Sequence, residues 1–240
     1  MNTFARMLAL LVLAAGLVTS KAAVAAPRFG LEGSLLRTKL PYTPSDAFFR
    51  DTWVWTGGGG ATVEWNLGRT WTVATGIGWA EQYGSQDWRM TLSEGMSTAT
   101  ISETRETRLS TLVLPVTFAW RHGRWRVGAG PQARYLLHGE RSDGVPTFTF
   151  AEPLAVARRA PAGPNAEIFE PVPRVQDITD ILNRAGLDAT AFAAYDLSAA
   201  EHVLRLEAGW TEGLTNLPKG SSFDYRYRTR ALRMGLGLLW

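Results

Sequence analysis

The chain of 240 residues has no cysteine and three histidines, and beyond residue 26 no apolar run approaches the ~20 residues that a membrane-spanning helix needs. Without cysteine there is no disulfide framework and no lipidation residue behind an export signal, which excludes a lipoprotein. Charge of one sign is missing too. The formal +3 includes Arg6 and Lys21, and residues 27–240 hold 23 basic against 22 acidic side chains, which is no nucleic-acid footprint. No Asp/His cluster has metal-ligand spacing, and no cofactor is implied.

What is present begins with a leader. Arg6 precedes an apolar stretch from Met7 to Val18, and Ala23-Val24-Ala25 forms an A-x-A cleavage pattern. We expect a signal peptide over residues 1–25 and a mature chain over residues 26–240. The stretch is too short to span a bilayer. Ten tryptophans and 24 glycines, with a mean hydropathy of −0.08, fit a membrane barrel, in which only alternate residues face lipid.

Period-two alternation supplies the strands. Over residues 124–137, Trp125, Val127, Ala129, Ala133 and Tyr135 alternate with Arg124, Arg126, Gly128, Gly130 and Arg134. The same pattern recurs over residues 71–83, 110–120 and 201–215, more weakly over 29–39, 57–67 and 189–198, and again over 225–240. Short connections at 68–70, 121–123 and 199–201 alternate with long ones at 41–56, 84–108, 138–188 and 216–224. This predicts an all-β fold: an eight-stranded antiparallel up-and-down transmembrane β-barrel with short periplasmic turns and long extracellular loops. Within the loop at 138–188, Ile178, Ile181, Leu182 and Ala185 have helical spacing and precede Gly186, so a short amphipathic helix is expected there.

The chain ends in Arg233-Met234-Gly235-Leu236-Gly237-Leu238-Leu239-Trp240. Its polar-x-Gly-x-x-apolar-x-aromatic order, carried by Arg233, Gly235, Leu238 and Trp240, resembles the signal by which outer-membrane barrels are handed to their insertion machinery. With Leu112-Val113-Leu114-Pro115-Val116, Gly128-Ala129-Gly130-Pro131 and the segment from Arg205 to Asn216, the mature chain resembles the outer-membrane β-barrel domain family that includes PorT-like proteins and is akin to the small OmpA and OmpX barrels. The resemblance implies fold and location, not the secretion role of PorT.

Eight strands enclose a space that side chains fill. Glu32, Glu64, Asp196 and Glu207 should share it with Arg124, Arg126, Arg134, Arg205 and Arg233, and such charges must pair. Register counting places Arg134 level with Asp188, and Arg233 level with Glu32 across the closing seam. Outside, Arg226, Arg228 and Arg230, with Arg105 and Arg108 as further candidates, are expected to meet lipopolysaccharide phosphates. His122 and His202 fall at turns. His138, near Glu140 and Ser142, is the one candidate for an enzyme that hydrolyses or acylates lipid A. The expectation is a monomeric, non-enzymatic outer-membrane protein, with surface binding or envelope support in its loops. The alternatives are that enzyme and a lipocalin-like carrier, which the inward charges oppose.

Overall fold

Eight strands pair in a ring: β1 (Arg28–Lys39), β2 (Val54–Leu67), β3 (Trp71–Glu94), β4 (Ser97–His122), β5 (Trp125–Asp143), β6 (Ala185–Ala199), β7 (His202–Gly213) and β8 (Arg230–Leu239). Each is antiparallel to the next, and β8 returns to β1, so the sheet closes into a barrel. The computed structural model describes residues 26–40, 42–43, 49–94, 97–144, 147–150, 174–199, 201–217 and 226–240. The expected leader and cleavage site lie outside the described residues, as do residues 151–173 of the longest loop.

Alternation sets the faces. Along β1, Phe29, Leu31 and Leu35 are exposed while Gly30, Leu36 and Thr38 are buried. Closure is sealed at the chain end, where Phe29 and Trp240 exchange backbone hydrogen bonds of 3.1 and 2.9 Å. The turns after β2 and β4 use Gly68 and Gly123 at φ 75° and 61°, a region that other residues enter at a cost.

The wall is uneven in height. β3 and β4 have 24 and 26 residues, against 10 in β8. The segment at 84–108, expected as a loop, is instead a continuous two-stranded ladder pairing Gly84 with Thr107 and Glu94 with Ser97. Phe49–Thr52 pairs with the upper part of β3, Thr147–Phe150 with β4, and Arg174–Asp177 with β5. The upper ladder is therefore flanked on both sides. The last strand starts at Arg230 rather than 225, and Arg226–Tyr227 pairs with Tyr42–Thr43.

The expected helix is absent from the described residues. Asp177 Oδ1 accepts the Thr179 N–H at 2.8 Å at the start of one 3-10 turn, Thr179–Ile181, after which the chain enters β6 at Ala185. Gly186 stops nothing. It is a strand residue opposite Arg134, and a Cβ there would lie 2.6 Å from the Arg134 guanidinium.

Candidate functional site

The interior is built from charges. Arg126 on β5 grips Glu64 on β2 with two hydrogen bonds of 2.5 Å, and its Nε lies 2.7 Å from Asp196 on β6. Arg205 on β7 reaches the same two acids at 2.9 and 2.8 Å. Two guanidinium and two carboxylate groups thus alternate in a closed, neutral ring. Arg126, Glu64 and Asp196 are about 2% exposed, so water screens this ring little.

Two smaller clusters complete the lumen. Arg134 meets Asp188 at 3.3 Å, and Gln132 donates to the other oxygen of Asp188 at 3.4 Å. They are not level: Arg134 pairs with Gly186 and Asp188 with Gln132, so the guanidinium reaches diagonally over the glycine. Arg233 lies between Glu207, to which it donates, and Glu32 at 3.8 Å. The backbone partner of Glu32 is Gly237 rather than Arg233, so that pair also spans an offset. Arg124 stands outside the lumen, exposed in the tight turn, where its carbonyl accepts the Asp196 N–H at 2.8 Å. Cavities of about 50 and 40 Å³ remain beside Glu32 and Arg233, large enough for water.

An apolar cap seals the loop end. Leu40, Leu109, Leu136, Ile178, Leu182 and Leu217 form one buried cluster. A Cβ on Gly139 would meet Leu109, Ile178 and Leu182 at 3.3–3.4 Å, so these side chains converge over that glycine. The Ile178 N–H donates to the Gly139 carbonyl at 2.9 Å, and the Asn183 N–H to that of Leu217 at 2.5 Å. Sequence reading missed this cluster, because its residues come from five separate segments that no single period links.

Outside, the pattern inverts. Phe29, Trp71, Trp120, Trp125 and Trp240 are exposed around the turn end, Trp55, Trp79 and Trp210 stand higher, and leucines and methionine lie between. The eight residue steps from Trp71 to Trp79, at roughly 3.4 Å each and a tilt of roughly 40°, set a band about 21 Å tall. Of the expected outer arginines, Arg230 binds Glu212 at 2.9 Å and Arg228 is half-exposed, while the side chain of Arg226 lies outside the described residues. Arg105 holds Asp143, and Arg108 lines an outward recess with Tyr83, Glu106, Glu140 and Ser142. Burial, then a hydrogen bond to Glu106, pushes the Tyr83 hydroxyl up to about 12.

His138 faces outward above this band. Its Nδ1 is 3.9 Å from Asp177, and both side chains are more than half exposed. Ser110 lies opposite on β4, but its hydroxyl accepts the Trp79 indole N–H at 2.7 Å. Among the described residues no hydroxyl is hydrogen-bonded to His138. His122 stacks on Trp120 at 5.5 Å. No group of acids and histidines among the described residues has the arrangement of a metal site.

Near the top of β5, Asp143 accepts from Arg105 and Arg141, each at 2.8 Å. Burial alone would raise its carboxyl, but the two guanidinium groups outweigh it and hold it below the usual aspartate range. A lowered folded value stabilises above the unfolded value, about 4, and that contribution is lost as pH falls through the folded one. Proteolysis of the upper ladder should therefore quicken below pH ~4 in the native protein, and an Asp143→Asn variant should show a flatter pH profile.

No family model matches the chain, and no curated protein does. Among solved structures, it is similar to the attachment invasion locus protein Ail of Yersinia pestis, in complex with the heparin analogue sucrose octasulfate, at 8% identity and TM-score 0.40, covering 90% of this chain and all of the other. Neisserial surface protein A shares 6% identity at TM-score 0.37 over 90% of this chain and 97% of its own. The outer membrane protein OprG of Pseudomonas aeruginosa shares 11% at TM-score 0.36 over 90% and 96%. Likenesses at this level assign no activity.

Proposed function

We propose that the chain is an integral outer-membrane barrel, non-enzymatic and with a plugged lumen, whose tall loop-side ladders serve surface binding or envelope structure. The observation that carries this reading is the inverted polarity of the wall. Arg126, Arg134, Glu64 and Asp188 are buried, while tryptophans and leucines cover the outside in a band bounded by two aromatic rows. In water that much contiguous exposed apolar surface would drive association; in a bilayer about 25 Å of it is what a barrel must present. The lumen holds charges rather than the apolar pocket of a lipocalin-like carrier.

The turns then face the periplasm and the ladders the exterior. The C-terminal strand, with Arg233, Gly235, Leu238 and Trp240, serves as the insertion signal. Arg228 and Arg230 stand where lipopolysaccharide phosphates would lie, and one chain suffices to close the barrel.

Unboiled protein from isolated outer membranes is expected to migrate differently on a denaturing gel from boiled protein. Recovery in the periplasmic soluble fraction would sink the reading. Lipid A mass spectra should be the same with and without the protein, and a mass change abolished by His138→Ala would replace the non-enzymatic reading with a lipid-modifying one.

A further inference from the structure

On the outer wall, glycines open β1 and β2 near and above their middle, with the exposed Leu35 standing among them. Gly33 pairs with Gly59, and Gly57 with Leu35. A Cβ added to Gly33 or Gly57 would meet nothing within 4 Å. The flanks are not bare: Trp79 lies opposite Gly59 on β3, and Leu236 opposite Gly33 on β8, 42% and 52% exposed. At the level of Gly33 and Gly59 backbone therefore floors a furrow between two apolar ridges, about as wide as two strands, or roughly 10 Å, and it narrows to Gly57 where Leu35 stands on β1.

The head of this furrow is cationic. Arg37, opposite Trp55, has its guanidinium 5.7 Å from the centre of the indole ring. That face-on contact orients the group while leaving its N–H fork unoccupied. Among the described residues Arg37 has no carboxylate partner, unlike Lys39, 3.7 Å from Asp51, and Arg230, bound to Glu212. An apolar slot beneath an unpaired guanidinium fits a molecule with an acyl chain below a phosphate.

We propose that this furrow binds one phosphorylated, multiply acylated glycolipid of the loop-side leaflet, with an acyl chain over Gly33, Gly57 and Gly59 and a phosphate on Arg37. The assignment rests on the outer-membrane reading, which puts the loop end in that leaflet. A free phosphate would have no use for the furrow, and a second barrel no use for the guanidinium.

The test is native mass spectrometry of the full protein, extracted in detergent, against diphosphoryl lipid A, dephosphorylated lipid A and phosphatidylglycerol. Wild type should retain the diphosphoryl lipid at least tenfold better than the other two. Arg37→Ala should abolish that preference, and Gly57→Leu, which fills open space, should weaken retention of the diphosphoryl and dephosphorylated lipids alike. Arg89→Ala, an exposed arginine on the upper ladder, should change neither. Heat-dependent gel migration shows whether each variant is folded, and the two variants act on different parts of the site. Equal retention of all three lipids by wild type, unchanged retention in both variants, or a protein dimer in place of the lipid adduct overturns the site. A folded wild type that partitions to the soluble fraction overturns the membrane reading beneath it, and is told apart by fractionation alone.

Discussion

Arg126→Met is expected to lower the unfolding free energy by roughly 3–5 kcal/mol, the largest loss of any single substitution in the wall. The guanidinium makes two bonds of 2.5 Å to Glu64 and lies 2.7 Å from Asp196, with all three groups almost fully buried. Its removal leaves two carboxylates sharing Arg205, one of them buried without a counter-charge. The loss is the desolvation of that stranded charge, not the worth of a salt bridge. The double variant Arg126→Met with Glu64→Met should therefore cost much less than the single one, because Asp196 and Arg205 remain paired at 2.8 Å. Pairing Arg126→Met with Asp196→Asn should rescue equally, since Arg205 then keeps Glu64 at 2.9 Å. Urea unfolding in lipid vesicles, followed by tryptophan fluorescence, measures wild type, these three variants and the single variants Glu64→Met and Asp196→Asn that complete the two cycles. A single-variant loss under ~1 kcal/mol, or a double-variant loss equal to the sum of its parts, would refute the ring as a coupled unit.

Much of the barrel was legible because one face of each strand had to be apolar. Leu204, Leu206 and Trp210 alternate with Arg205, Glu207 and Gly209, and a one-residue slip would exchange the two sets. Where neither face needed to be apolar the signal vanished. Between Gly84 and Arg108 apolar residues alternate with polar ones only briefly, at Trp88, Met90 and Leu92, and a ladder of more than ten pairs read as loop. Period two also failed at residues 136–138, where Leu137 is the extra residue of a bulge, Ser110 pairing with His138 and Thr111 with Leu136. The expected helix failed for a related reason. The spacing of Ile178 and Leu182 is met by one 3-10 turn, and Ile181, which a helix would have buried, is 62% exposed.

The lumen was legible as composition but not as pairing. Register relates neighbouring strands, and of the ring contacts only Asp196 with Arg205 joins paired residues. The bond of Arg126 to Glu64 crosses from β5 to β2 through the interior, which no alternation pattern encodes. Arg134 and Arg233 reach acids off their own rows because the side chain spans about two residue steps. Gly186 leaves the space for one of those reaches. Small residues inside the wall are thus part of the charge arrangement, a link visible only once the strands are placed.

Leu109→Ala is expected to cost roughly 2–5 kcal/mol, with the damage confined to the loop end. The side chain is fully buried on β4 and packs beneath Ile178 and Leu182, which arrive from the long loop. These contacts lie above the apolar band, so bilayer insertion does not depend on them. Leu182→Ala approaches the same cavity from the other side. The double variant should cost less than the two singles added, because the second truncation removes contacts the first has already loosened. Amide exchange locates the effect. Protection of the Ile178 and Asn183 N–H groups, bonded to the carbonyls of Gly139 and Leu217, should fall by roughly 30-fold or more for a loss of ~2 kcal/mol, while the Asp196 N–H beside the charge ring keeps its protection. That contrast divides the interior into two units, a polar ring between the strands and an apolar cluster at the loop end. Equal loss of protection at Asp196 would mean that cluster and ring open together, and the loop end would then have no conformational freedom of its own with which to serve binding.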